Sequence, residues 1–304
     1  MYVITGATGN TGRIIAETLL AKGKKVRAIA RSRGRLQSLV DRGAEAFVGS
    51  VTDVSAIQDA FQGAEAVYLL IPPDNEAENF RAYQNKVGKA YASAIRQARI
   101  PYVVNLSSVG AHLSEGAGPI SGLYDVEQLL NELTGTNIVH LRAAFFMENF
   151  LFSLDLIRNQ SINGSALKGD LPIPMIATRD IAEVAAQLLL SLAFSGQSTR
   201  ELLGQRDISM QEATQIIRKA IGKEELAYVQ FLYAQAEQAM VGMGMSPDVA
   251  RSLCEMDRAL NEGRVRPLEK RSAANTTPTT FEQFAQGFAA AYRSQGAATK
   301  AKGV

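Results

Sequence analysis

Cysteine occurs once in the 304 residues, at Cys254, histidine twice, at His112 and His140, and tryptophan not at all. A single thiol excludes a disulfide scaffold and fits a reducing compartment. One cysteine and two histidines are too few for a His/Cys metal centre, so no metal is expected. Excess charge of either sign is missing too: 32 Lys+Arg stand against 30 Asp+Glu. That balance is no electrostatic footprint for nucleic acid or for an anionic membrane. No apolar run reaches the roughly 18 residues that a membrane span needs. The longest, Ile181–Phe194 and Ala143–Ile157, are interrupted by Glu183, Glu148 and Asp155. A strand expected from Tyr2 leaves no room for a leader before it, so the expected location is cytoplasmic. Disorder is excluded for most of the chain, because 46% of its residues are hydrophobic.

What is present is an alternation of short β-rich runs and helical patterns. Strand patterns at Tyr2–Thr5, Lys25–Ala30, Glu45–Val48, Ala66–Ile71, Tyr102–Leu106 and Asn137–Leu141 are separated by helical ones at Arg13–Lys22, Leu36–Arg42, Ser55–Phe61, Asn79–Gln97 and Leu123–Leu133. Strict alternation implies parallel pairing through crossover helices. Continuously apolar strands such as Val67–Ile71 fit a sheet covered on both faces.

After about residue 145 the alternation loosens. Helices are expected over Asp180–Leu192, opened by a capping box of Asp180 with Glu183, and over Ser209–Ile221, boxed by Ser209 with Glu212. Further helices are expected over Lys223–Val241, Ser246–Asn261 and Thr279–Tyr292, the last with Phe281, Phe284 and Phe288 on one stripe. Residues 295–304 read as a frayed tail. The expected architecture is α/β, a doubly wound parallel sheet with a smaller, mostly helical second domain. Residues 1–150 form the nucleotide-binding domain and 176–206 return to it. Residues 151–175 and 207–292 make a smaller domain for substrate or partner.

The strongest motif is Thr5-Gly6-Ala7-Thr8-Gly9-Asn10-Thr11-Gly12, between the first strand and the first helix. In that place a glycine pattern reads as a Rossmann-like phosphate loop. Gly6 allows the tight turn, Gly9 lets a pyrophosphate approach the backbone, and Gly12 lets helix and sheet pack closely. Free N–H groups and the positive end of the helix face the phosphates, with Thr8, Asn10 and Thr11 beside them. The second strand ends in Arg31-Ser32-Arg33, with no Asp or Glu between Glu17 and Asp41. An acidic residue there would favour NAD(H); Arg31 and Arg33 favour the 2′-phosphate of NADP(H).

With these signals the chain resembles the NmrA-like group of atypical short-chain dehydrogenases. The glycines are spaced GxxGxxG, and Val104–Gly110 (VNLSSVG), Leu141–Asn149 (LRAAFFMEN), Asp180-Ile181-Ala182 and Thr276–Phe281 match its later segments. The resemblance implies an extended parallel sheet with NADP(H) across the carboxyl ends of its strands. It covers NADPH-dependent quinone and related reductases, and also non-catalytic proteins that sense nicotinamide redox state and regulate a protein partner. It places Val51 at the adenine, Leu70, Ile71 and Pro72 beside the cofactor, and Phe145, Phe146 and Asn149 near the substrate.

One departure bears on chemistry. Catalytic short-chain dehydrogenases pair a tyrosine with a lysine four residues later on one helix face. Here Tyr124 is followed at that spacing by Gln128, which carries no positive charge. Tyr124 and His112 are therefore weak candidates for proton transfer, and a packing role for each competes with it. A second departure is Ser50 before Val51, where the group has an acidic residue. Met240, Met243 and Met245, interleaved with Gly242 and Gly244, suggest a soft apolar pocket. Three readings follow. The first is an NADPH-dependent oxidoreductase for a quinone-like or other apolar acceptor. The second is a redox sensor acting on a protein partner. The third is a sugar-nucleotide epimerase, which the missing lysine disfavours. Oligomeric state stays open.

Overall fold

In the computed structural model residues 1–301 are described, with side chains to Ser294. The central layer is a seven-stranded, all-parallel sheet. It is built from β1 (Tyr2–Ile4), β2 (Val26–Ala30), β3 (Glu45–Val48), β4 (Ala66–Leu69), β5 (Tyr102–Ser108), β6 (Asn137–Ala143) and, after a small β7 (Phe145–Phe146), β8 (Ile162–Ser165) and β9 (Ile173–Ile176), the edge strand β10 (Gln197–Leu202). Spatial order is β10-β6-β5-β4-β1-β2-β3. The chain runs outward from β1 to β3 and then returns to β4 on the other side of β1. Such a reversal opens a crevice at the carboxyl ends of the two strands, the usual ligand position in open α/β sheets.

Helices cover both faces. On one lie α1 (Asn10–Ala21) and α7 (Thr178–Ser191), burying Ile15, Leu19, Ala182 and Leu189. On the other lie α3 (Val54–Phe61), α4 (Phe80–Ala98) and α5 (Pro119–Asn131), with Ile57, Phe61, Tyr91 and Val126 inside; the short α2 (Gln37–Val40) lies on the α1 side, where Leu39 joins the core of Ile15 and Leu19. Successive β4 residues point to opposite faces: Val67 and Leu69 join the α4 side, Tyr68 the α1 side.

The remaining elements build a smaller layer over the carboxyl ends of β5 and β6. They are α6 (Leu154–Gln160), β11 (Asp207–Ile208), α8 (Met210–Ile221), β12 (Ala227–Gln230), α9 (Tyr233–Gly242), α10 (Pro247–Asn261) and α11 (Phe281–Ala301). β9 pairs in parallel with β7 and antiparallel with β11, while β8 pairs in parallel with β12. Phe281 and Phe288 are fully buried in this layer's core with Ile217, and Phe284 packs between their rings. Of the segment read as a tail, 295–304, the backbone continues α11 to Ala301, and 302–304 lie outside the described residues.

Three expectations need correction. Lys223–Val241 is not one helix: Ala227–Gln230 pairs residue for residue with Ile162–Ser165 before α9 begins. Tertiary pairing overrides the local helical pattern there. The short helix expected over Leu36–Arg42 is present but shorter, Gln37–Val40, with a 3-10 turn at Gly34–Leu36 ahead of it. Helix α7 starts at Thr178 rather than at a cap on Asp180. The buried Asp180 carboxylate instead accepts hydrogen bonds from the Thr279 amide and hydroxyl, which ties α7 to the start of α11. The Ser209 and Ser246 caps do form, each Oγ accepting from the amide three residues on.

Candidate functional site

The turn from β1 to α1 is set by buried contacts. The Thr5 hydroxyl donates to the Tyr68 carbonyl at 3.0 Å and accepts from the Leu70 amide at 2.8 Å, fixing the ends of β1 and β4 together. Gly6 then turns with φ of 59°, a left-handed conformation that side chains rarely adopt. A Cβ on Gly6 would also run into the Leu70 side chain. Gly12 is pressed against the Gly6 carbonyl, which a Cβ would strike. Gly9 differs: its ideal Cβ would meet only the Gly6 oxygen, at 3.3 Å. Neither a side chain nor a positive φ therefore demands glycine at position 9.

Gly9 is the N-cap of α1 and supplies no side-chain hydrogen bond to the first turn, which also holds no acidic residue. Thr11 points inward, where its Oγ1 accepts from the Tyr68 hydroxyl at 2.9 Å, so what it offers outward is its backbone amide. Asn10 is exposed and Thr8 half-buried. Arg27 on β2 is held by Glu45, whereas Arg31 and Arg33 beyond the strand are exposed. Val51 is half-buried. The Pro72 carbonyl accepts from the Tyr83 hydroxyl and the Leu70 carbonyl from Tyr91, so two tyrosines of α4 anchor the segment after β4.

Beside this turn lies a cleft of about 510 Å³. Leu70 and Ile71 form one wall, Leu106 and Ser108 of β5 the floor, and Phe145, Phe146 and Asn149 the end beyond β6. Leu123 of α5 and Met256, Leu260 and Val265 at the end of α10 close it from above. The lining is mostly apolar, as small-molecule sites are. It brings Leu70, Ile71, Phe145, Phe146 and Asn149 together. Pro73 lines it rather than Pro72. The expected methionine pocket does not form part of the cleft: Met243 is 69% exposed and Met240 packs with Ala236 of α9 against Cys254 of α10.

The two candidate proton donors do not reach the cleft. Pro119, Ile120 and Leu123 are the α5 residues that line it; Tyr124 is one position further round the helix from Leu123, and Gln128 is exposed. His112 follows β5 outside the lining, with Nδ1 buried and without a hydrogen-bond partner. Burial, with the Arg142 charge added, holds its pKa below the ordinary histidine value, so it is neutral at pH 7. His140 is a core residue. Its Nδ1 faces the Asn105 amide and its Nε2 the Asn131 oxygen, each at 3.0 Å. Burial lowers its pKa to about 4.

Four residues below Leu123, on the same helix face, stands Glu127, 1% exposed. Arg142 of β6 grips it with two hydrogen bonds, 3.0 and 2.6 Å, and Ser107 donates to it at 2.5 Å. The carboxylate in turn raises the Arg142 pKa. This network joins β5, β6 and α5 under the cleft. Its sequence signal is a glutamate on the apolar stripe of Ile120, Leu123 and Leu130, which cannot be buried unpaired. The matching segment after β6 has a similar role: Glu148 accepts from the amide and hydroxyl of Thr178, capping α7. Among the described residues no three His, Cys, Asp or Glu come together as a metal site, and no helix is long and apolar enough to cross a membrane.

Known proteins resemble this chain in sequence or in fold. An NAD(P)H azoreductase of Xenophilus azovorans is 25% identical over 299 residues, 96% of this chain and 99% of that protein. An NADPH-dependent quinone oxidoreductase of Escherichia coli, solved in complex with NADPH, superposes with a TM-score of 0.78 at 22% identity, covering 95% of this chain and 99% of that one. A triphenylmethane reductase of Citrobacter sp., solved with NADP(H), gives 0.77 at 19% identity, covering 95% and 100%. The model of the NmrA-like family matches residues 2–285, and the chain belongs to that family.

Proposed function

We propose that this chain is an NADPH-dependent oxidoreductase that binds NADP(H) at the β1–α1 turn and reduces a flat apolar acceptor, a quinone or an azo compound, in the adjoining cleft. The observation that carries this reading is the double position of Leu70. Its side chain is the neighbour that Gly6 must clear, and it also lines the cleft. A nucleotide on the turn and an acceptor in the cleft are then adjacent.

The residues fit the group. The first-turn amides of α1, from Asn10 to Gly12, have no capping side chain to satisfy them, and a diphosphate would do so. The open face of Gly9 leaves room for it. Thr8 and Asn10 would flank the phosphates, Arg31 and Arg33 would take the 2′-phosphate, Val51 would pack on the adenine, and Ile71 and Pro72 would flank the far half. Bound there, a reduced nicotinamide supplies a hydride, two electrons and one proton, and is itself oxidised.

The chain's own part is positioning and exclusion of water. Phe145, Phe146 and Leu123 hold a planar acceptor, while Ser108 and Asn149 offer polar contacts to its oxygen or nitrogen atoms. The second proton that completes a hydroquinone comes from water, since neither His112 nor Tyr124 lines the cleft. Relatives named for azo, quinone and dye reduction accord with an acceptor of this shape. The test is incubation of the pure protein with NADPH or NADH and a panel of quinones and azo compounds. NADPH-driven reduction supports the reading. Tight NADP(H) binding with no turnover on any acceptor would point instead to a redox sensor with a protein partner.

A further inference from the structure

We propose that Arg266 selects, among the flat acceptors the cleft admits, those carrying an anionic substituent such as a sulfonate or carboxylate; this rests on the reading of the cleft as an acceptor site. The charged residues of the lining, among the described residues, are Asp207 and Arg266. The Asp207 carboxylate is held by Arg271, whose guanidinium also donates to the carbonyls of Gly204 and Leu203. Its charge is therefore balanced. On either side of Arg266, Arg264 pairs with Glu262 and Arg271 with Asp207, but Arg266 pairs with no carboxylate among the described residues. Glu201, whose charge is felt in the same region, is buried and accepts from the amides of Leu268 and Glu269. His112 adds no second cation, because burial, Arg142 and Arg266 all favour its neutral form.

The arginine is also carried on a fixed support. The amides of Arg264 and Val265 both donate to the Ala259 carbonyl, at 2.9 and 3.2 Å. Val265 is buried against Gly110, and Pro267 restricts the backbone of Arg266, the residue before it. Leu268 is tied to Glu201 at 3.0 Å. Arg266 is exposed while lining the cleft, so its guanidinium stands at the mouth. There it offers a planar fork to one acid group, while the ring system lies in the apolar interior.

Steady-state reduction of 1,2-naphthoquinone and of 1,2-naphthoquinone-4-sulfonate tests this in the native protein, Arg266→Gln and Arg266→Lys. For the sulfonate, Arg266→Gln is expected to raise KM roughly tenfold with kcat little changed. For the neutral quinone KM should move less than about twofold, and Arg266→Lys should recover most of the loss. Calorimetric titration with 2-naphthalenesulfonate and 2-naphthol, which cannot accept hydride, reads the same preference without turnover. Failure of both quinones to react overturns the oxidoreductase reading alone, and the titration still decides this one. Equal effects of Arg266→Gln on the charged and neutral compounds, or no effect on either, would overturn the selection.

Discussion

Gly12 lies against the carbonyl of Gly6: a Cβ at position 12 would collide with that oxygen and stand 2.7 Å from its carbon. The two glycines thus hold the turn together, whereas a Cβ on Gly9 between them would meet only the Gly6 oxygen, at 3.3 Å. Gly12→Ala should lower stability by about 1–3 kcal/mol, the usual cost of overpacking. Gly9→Val should stay folded, because its φ of −90° and ψ of 179° suit any residue, yet lose NADPH binding. Urea unfolding and nucleotide titration of both variants check this. A Gly9→Val protein with native NADPH affinity would remove the phosphate-loop assignment.

Arg31→Glu should weaken NADPH binding by about 1.5–3 kcal/mol, the worth of a charge-assisted hydrogen bond, and leave NADH binding nearly unchanged. Arg31 is exposed at the end of β2, and Arg27 on the strand is tied to Glu45, so the effect should be local. Parallel titrations with the two nucleotides decide it. Equal native affinities would end the claim of NADP(H) preference.

Tyr124→Phe should change quinone turnover by less than about tenfold. The cleft is lined from α5 by Pro119, Ile120 and Leu123, not by Tyr124, and the position four beyond Tyr124 is the exposed Gln128. General acid catalysis is typically worth 10²–10⁴-fold. A loss of that size in Tyr124→Phe, with NADPH affinity intact, would make the phenol the proton donor.

His140 should make the fold acid-sensitive. Its folded pKa, about 4, lies below the ordinary 6.5, so the folded state binds fewer protons between those values. Stability is then lost as pH falls from about 6.5 toward 4, by roughly 3 kcal/mol at about 1.4 kcal/mol per pH unit. Asp257 acts with the opposite sign: burial raises its carboxyl to about 7, so it costs stability as pH rises from about 4 to 7. The difference between the native protein and His140→Gln isolates the histidine. Urea unfolding at pH 7, 5.5 and 4 should show a flatter low-pH loss in the variant; parallel curves would contradict it.

Local signals carry the first half of this fold. Tyr2–Ile4, the glycine turn and α1 are legible because strand, breaker and helix patterns follow one another within twenty residues. Phe281, Phe284 and Phe288 are legible as a stripe because helical spacing alone places them on one face. What escapes is long-range pairing. β12 reads as helix until its partner β8, some sixty residues earlier, is in place. Asp180 reads as a helix cap until Thr279 arrives from the far end of the chain. The same holds for the cleft: Leu70, Ile71, Phe145, Phe146 and Asn149, which stand in recognisable motifs, line it, but the roof of Met256, Leu260 and Val265 does not show in any local pattern. The apolar stripe of α5 places Leu123 and Glu127 on one face, but it does not name Arg142 of β6 as the partner of Glu127.

The central claim is that reducing equivalents pass from NADPH to an acceptor held in the cleft. Anaerobic single-turnover mixing of the protein–NADPH complex with 1,2-naphthoquinone measures it most directly, with NADPH loss and hydroquinone formation followed together. The account predicts one hydroquinone per bound NADPH, much slower reaction with NADH at equal concentration, and inhibition when Leu123→Trp fills the cleft. NADPH that binds tightly but is not consumed, or turnover that Leu123→Trp leaves unchanged, would contradict it.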